Sequence, residues 1–293
     1  MKEFLRKLFR GETSEPVKIK SEQASDQSLL ASRRITTPLM TVGCGQSIGM
    51  QRDHNEDAIF LLSSILTTDN QLIPFGLYIV ADGMGGHQHG EVASNVAIRS
   101  ISSHVIQQLY TPLLKPTPTQ PSSSLQEILR NGVLEAHHAI IRKVPGGGTT
   151  LTAVLIIGNQ MNVAHVGDSR AYLISENGST KVITRDHSLV KRLEELGQLT
   201  SDEAAIHPQR NVLYRALGQG EPFEPDVSSF QTPVGCWLLI CSDGLWGVVS
   251  EEQIVEIIQN SHNPHAACQL MIDAANELGG PDNISAVLIA FPG

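Results

Sequence analysis

The sequence predicts an α+β fold built on antiparallel sheets, and three observations carry that expectation. Strand-like apolar runs occur in consecutive groups and helical patterns in groups of their own, so the strict β-α-β alternation of a doubly wound parallel sheet is missing. Gly158-Asn159 is a tight-turn pair between two apolar runs and marks a hairpin. At 293 residues, 41% hydrophobic and 17% charged, the chain has the makeup of a globular protein able to bury a substantial core.

In chain order, residues 1–37 read as separate from the rest. Phe4, Leu5, Leu8 and Phe9 share one helical face, with Lys2, Arg6, Lys7 and Arg10 around it. That pattern is either a basic amphipathic helix for an anionic membrane or a partner, or a mobile tail with some helical tendency. Residues 11–34, rich in Ser, Glu, Lys and Gln, have the composition of a disordered segment. Order is expected from near Pro38. Strands are expected over 39–45, 58–62, 77–81, 149–157, 161–166, 170–174, 182–184, 237–241 and 284–291. Helices are expected over 92–109, from Ser124 to Lys143, around Leu189, Leu193 and Leu196, and over 251–259 and 264–278. Ser124 with Glu127 forms a capping box at the start of the second helix.

Composition narrows the function classes. A net charge of −9 argues against nucleic-acid binding through phosphate contacts and suits a carboxylate site neutralised by metal. No apolar run approaches the roughly 18 residues of a membrane span, and the charged start lacks the apolar core of a signal peptide. Cys44, Cys236, Cys241 and Cys268 show no C-x-x-C pairing and read as buried free thiols in a reducing cytoplasm.

The chain is organised around residues 77–91. The apolar run Leu77–Ala81 ends on Asp82, followed by Gly83, Met84, Gly85 and Gly86. A carboxylate at a strand end has a fixed position, and glycines let a carbonyl oxygen approach a ligand; hard divalent cations favour these oxygens. Any one Asp-Gly is an ordinary turn. Here Asp recurs at the edges of apolar runs, in Glu56-Asp57, Asp82-Gly83, Asp168-Ser169, Asp243-Gly244 and Asp282-Asn283. Gathered carboxylates raise one another's pKa values unless cations hold them ionised, and paired divalent ions would also activate water.

Other readings fail on detail. Residues 53–64 imitate the start of an EF-hand loop but carry Ala58 and Ser64 where Gly and Glu are needed. Gly146-Gly147-Gly148-Thr149-Thr150 has no Lys before its threonines and is not a P-loop. His87 and His89 do not fit H-E-x-x-H, and no G-x-S-x-G elbow or cysteine nucleophile signature is present. Hydrolysis by metal-activated water remains.

Arg52-x-x-Asn55-Glu56-Asp57, Asp82-Gly83-Met84-Gly85-Gly86, Gly148-Thr149-Thr150, Gly167-Asp168-Ser169-Arg170, Ser242-Asp243-Gly244-Leu245 and Gly280-x-Asp282-Asn283 occur in this order. Together they resemble the metal-dependent serine/threonine protein phosphatases of the 2C type in their bacterial form, over about residues 40–291. The resemblance implies an α-β-β-α sandwich: two antiparallel sheets flanked by helix pairs, with residues 38–293 as the catalytic domain behind a flexible tail. It implies two manganese or magnesium ions bridged by Asp82. The Gly83 carbonyl, Glu56 and Asp57 would serve one ion, Asp243 and Asp282 the other, and Asp168 with Asp243 a weaker third. Arg52 would grip the substrate phosphate; its alternative is a surface ion pair with Asp53 or Glu56. Water readied between the ions would attack phosphorus in line, and residues 185–220 would form a flap beside the site.

Met84 departs from the animal pattern, which places a general-acid His there. The general acid stays open among His87, His89 and a metal-bound water, with loop roles as the alternative for both histidines. The implied partners are phosphorylated proteins, including a Ser/Thr kinase that the enzyme opposes; a cytoplasmic monomer is expected. A pseudophosphatase that binds without turnover is the alternative from another class, and the retained Asp82, Asp243 and Asp282 argue against it. A regulatory phosphatase acting on an anti-sigma antagonist is a third, disfavoured by the intact Arg52–Asp57 motif.

Overall fold

The structure is a computed structural model that describes residues 40–293 apart from 69–70, 87, 118–120 and 292. The expected tail over 1–37 with its amphipathic stretch, and His87, lie outside the described residues.

The elements run β1 (Thr41–Ser47), β2 (Ala58–Thr68), β3 (Gln71–Ala81), β4 (Gly83–Met84), α1 (Gln88–Val105), α2 (Leu125–Lys143), β5 (Gly148–Thr149), β6 (Leu151–Ile157), β7 (Gln160–Val166), β8 (Arg170–Ser175) and β9 (Thr180–Val182). The second half adds α3 (Leu189–Glu195), α4 (Ser201–Ala205), β10 (Asp226–Gln231), β11 (Cys236–Cys241), α5 (Asp243–Trp246), α6 (Glu251–Asn260), α7 (Pro264–Glu277) and β12 (Ile284–Phe291). One five-stranded sheet has the order β1-β12-β11-β8-β9, the other β10-β7-β6-β3-β2, and β4-β5 forms a small separate ladder. Every pairing among them is antiparallel.

Strand periodicity explains the layering. Successive side chains point to opposite faces. Along β3, Tyr78 and Val80 pack with Val154 and Ile156 against Leu238, Ile240, Val287 and Ile289 of the facing sheet. Their neighbours Leu77 and Ile79 pack on Ala97 and Ile101 of α1 and on Leu129 and Val133 of α2. On the other sheet Leu239, Cys241, Ala286 and Leu288 turn outward to Ile254 and Ile258 of α6 and to Cys268 and Met271 of α7. The result is the expected α-β-β-α sandwich. Central strands buried on both faces are mostly apolar, which is why they read as runs and not as alternation.

Several elements differ from expectation; the strand expected over 182–184 lies at Thr180–Val182, and the first long helix starts at Gln88 instead of residue 92. β2 and β3 pair in register from Ala58↔Ala81 to Thr68↔Gln71, far beyond the expected apolar segments. Ser63, Ser64, Pro74 and Gly76 hid this extension. The proline is tolerated because it stands one residue outside the β6 ladder, which ends at Phe75↔Ile157. β10 was unassigned because its only apolar residues are Val227 and Phe230; it is held as an edge strand by β7. Asp243 opens the short helix α5 instead of sitting in a plain turn. The capping box at α2 is present, with Ser124 accepting from the Glu127 amide and Glu127 accepting from the Ser124 amide. All four cysteines are free, two of them buried.

Candidate metal centre

The five aspartates sit at element ends that the sandwich brings to one edge. Asp57 precedes β2, Asp82 follows β3, Asp168 lies between β7 and β8, Asp243 follows β11 and Asp282 precedes β12. An inner cavity of about 260 Å³ is lined by Arg52, Glu56, Asp82, Gly83, Asp168, Asp243 and Asp282, among others. A second cavity of about 560 Å³ shares Arg52, Asp168, Asp243 and Asp282 and continues outward to α3 and α4. Asp57 lies behind the inner cavity, buried, its Oδ2 accepting a 2.9 Å bond from Ser242 Oγ.

The backbone of Asp82 is fixed from both sides. Its N–H donates to Thr150 Oγ1 at 3.0 Å, and its carbonyl accepts from Thr149 Oγ1 and from the Thr150 amide, each at 2.8 Å. Thr150 Oγ1 in turn lies 2.6 Å from Ser169 Oγ, beside Asp168. The Gly-Thr-Thr motif therefore acts as a bracket for the central carboxylate. Asn283 does the same for the 48–57 loop: its Oδ1 accepts from the Glu56 amide at 2.7 Å, and its Nδ2 donates to the carbonyls of Ile48 and His54. Ser285 donates its amide to Ser242 Oγ at 2.9 Å, completing the support under Asp57. Gly83 has to be glycine, because a Cβ there would collide with the carbonyl oxygens of Glu56 and Gly90.

Charge crowding dominates the electrostatics. Burial pushes the Asp57 carboxyl up to about 7; the Ser285 and Ser242 hydroxyls oppose this, while the charges of Asp243 and Asp282 add to it. Asp243 is pushed up to about 6, first by burial and then by Asp282, against a hydrogen bond with Asp82 and the charge of Arg52. Asp82 and Asp168 are held well above the usual carboxylate range by burial and then by the surrounding aspartates. Oδ1 of Asp57 and Oδ1 of Asp243 are buried with no hydrogen-bond partner. Unsatisfied carboxylate oxygens facing more carboxylates fit a hard divalent cation and little else. Among the described residues no three His, Cys, Asp or Glu side chains close into a ready-made cage. The carboxylates instead ring the cleft.

Arg52 makes neither of its alternative pairs. Its Nη2 lies 2.7 Å from Asp282 Oδ2, and its side chain is 51% exposed at the cleft mouth. Glu56 Oε1 lies 3.2 Å from His54 Nε2. Met84 pairs with Gly148 across the β4-β5 ladder and lines the inner cavity. His89 is exposed on the first turn of α1 and lines neither cavity.

Residues 43–284 match the Protein phosphatase 2C family. The chain belongs to that family. A curated relative, the serine/threonine phosphatase stp of Listeria welshimeri, is 37% identical over 243 residues, which is 82% of this chain and 92% of that protein. The crystal structure of the Mycobacterium tuberculosis serine/threonine phosphatase PstP/Ppp superposes with a TM-score of 0.71 at 32% identity, covering 87% of this phosphatase and 99% of that chain. The PstP catalytic domain in complex with two manganese ions gives a TM-score of 0.69 at 31% identity, over 87% and 99% of the two chains.

Sequence reasoning found the carboxylates but missed what holds them. Thr149, Thr150, Ser242, Asn283 and Ser285 are polar residues within or beside apolar runs, and that was the available signal. Asp186, His187 and Trp246 also border the site unforeseen. Arg170 grips Asp186 through Nε and Nη2 and stacks 3.5 Å over the Trp246 ring, while Trp246 Nε1 donates to the Asp168 carbonyl at 3.0 Å. No helix among the described residues is long and apolar enough to cross a membrane.

Proposed function

We propose how this metal-dependent serine/threonine phosphatase of the 2C type divides its work among residues. Asp82, Asp243 and Asp282, with the Gly83 carbonyl, Glu56 and Asp57, would hold two manganese or magnesium ions, and Asp168 with Asp243 would hold a third. When bound, the ions supply an acidified water and neutralise charge on the transferring phosphoryl group. The observation that carries this reading is the ring of crowded carboxylates with two buried, partnerless oxygens.

The chain's own contribution is placement. Thr149, Thr150 and Asn283 fix the backbone on which the carboxylates stand, so their positions are set before substrate arrives. Arg52, half exposed at the mouth and paired to Asp282, exchanges that partner for the phosphate oxygens, which its guanidinium fork can hold in two places. The outer cavity between α3, α4 and Trp246 receives the peptide around the phosphorylated residue. His89 lines neither cavity, which does not favour it as the general acid.

The substrates are phosphorylated proteins, among them a Ser/Thr kinase that this enzyme opposes in the cytoplasm as a monomer. Residues 38–293 serve as the catalytic domain, and turnover does not depend on residues 1–37. The assay is hydrolysis of p-nitrophenyl phosphate. Manganese should support it, EDTA should stop it, and residues 38–293 alone should retain it. Turnover that survives EDTA, or is lost with the tail, overturns the corresponding part of this reading.

A further inference from the structure

The peptide that precedes Asp168 is held by two buried histidines the proposed chemistry does not use. The Gly167 amide donates to His187 Nδ1 at 3.1 Å, and the His187 amide donates back to the Gly167 carbonyl at 2.7 Å. His165 Nε2 reaches the same carbonyl at 3.1 Å. A backbone N–H can only donate, so His187 Nδ1 must carry the lone pair and Nε2 the proton. Nε2 then faces Asp226 Oδ2 at 3.3 Å, and Arg215 Nη1, equally distant from Nε2, bonds instead to Asp226 Oδ1 at 2.7 Å. Burial, followed by the charge of Arg215, holds His187 below its ordinary value, in keeping with a neutral ring.

Gly167 adopts φ +105°, and a Cβ on it would stand 2.6 Å from the Thr150 side chain, so neither its backbone nor its surroundings leave slack. The carbonyl of His187 also accepts the Tyr214 amide at 2.9 Å. One residue thus joins the Asp168 corner to both legs of the flap.

We infer that His187 is a positioning residue: as a neutral acceptor it fixes the Gly167 peptide, and through it aims the Asp168 carboxylate while tying the flap to that corner. The metal half of this rests on Asp168 being a ligand; the grip on Gly167 does not. A histidine serving only to fill the core is the competing account, and two substitutions separate them. Asn places an oxygen where Nδ1 stands, whereas Gln places its polar end near Nε2 and fills more of the ring's volume.

The test measures hydrogen exchange at the Gly167 amide, referenced to the Val163 amide of β7, and manganese affinity by calorimetry. His187→Asn should keep Gly167 protected and leave affinity for the weakest ion within about threefold. His187→Gln should speed exchange and weaken that ion by about tenfold or more, the scale of lost outer support at metal sites. Equal behaviour of the two variants, or better retention by Gln, overturns the inference. In the unsubstituted protein, nitrogen NMR of labelled histidines should show His187 unprotonated at Nδ1 and protonated at Nε2 at neutral pH. The opposite tautomer or a doubly protonated ring overturns it without any variant. Asp168→Asn is the control: if it too leaves manganese binding unchanged, the ligand assignment has failed, and the exchange data alone decide the role of His187.

Discussion

Asp82 hangs from a strand end bonded on both sides, by Thr149 and Thr150 in one direction and by the β3 ladder behind it, whereas the flap over residues 185–220 rests on two short helices. α3 has seven residues and α4 five, below the roughly 12–15 at which an isolated helix is even marginal in water. Each is held by side chains capping its first turn, Ser188 for α3 and Thr200 with Glu203 for α4. The carboxylates proposed to hold the ions sit on the rigid part, and the wall proposed to meet the peptide sits on the weakly held part. The links between them include the Gly167–His187 grip with its neighbouring Arg170–Asp186 pair, and the paired backbone bonds of Thr149 with Leu217.

Breaking the rigid side should have the largest effect. Thr150→Val removes the acceptor of the buried Asp82 amide. It should lower stability by about 1–3 kcal/mol, the scale of an orphaned buried donor, and turnover on p-nitrophenyl phosphate by roughly 10–100-fold. Denaturant unfolding and steady-state rates check both. Loss of activity below twofold would mean that the Thr bracket does not set the position of Asp82.

That bracket also marks how much was legible beforehand. The antiparallel α+β class and the recurring carboxylates were readable because apolar runs and Asp-Gly steps are local signals, whereas the two-sheet sandwich was implied only by the family resemblance. The bracket, the Asn283 clamp and the His187 grip join positions far apart in sequence, such as Asp82 with Thr150 and Glu56 with Asn283, and local periodicity carries no trace of such pairs. The Gly-Thr-Thr motif was seen, yet its physical role required the register of β4 on β5. β10 was invisible for the same reason: its neighbours make it a strand, not its composition.

The charge crowding sharpens the comparison further, since it centres on the rigid corner. Asp57 at about 7 and Asp243 at about 6 lie above the ordinary carboxylate value, so folding favours their protonated forms. Their stabilising contribution is complete below the unfolded value of about 4 and is lost as pH rises through about 6–7. Bound cations reverse the penalty. The gain in melting temperature from added manganese should therefore grow as pH rises from about 5 to 8, and Asp57→Asn should flatten that growth. A gain independent of pH would remove these two groups from the metal account.

The flap should respond least. Thr200→Ala deletes the cap of α4 and costs about 1 kcal/mol locally. Turnover of p-nitrophenyl phosphate should stay within about twofold, because Thr200 supports only a wall that this small substrate does not need. A loss as large as that of Thr150→Val would erase the distinction between the two regions.

Manganese binding to the EDTA-stripped protein, counted by equilibrium dialysis, addresses the carboxylate ring most directly. At least two ions per chain are expected at saturation, with fewer in Asp243→Asn although circular dichroism shows its fold intact. Binding of one ion or none, or the same number in the variant, would contradict a site built from these aspartates.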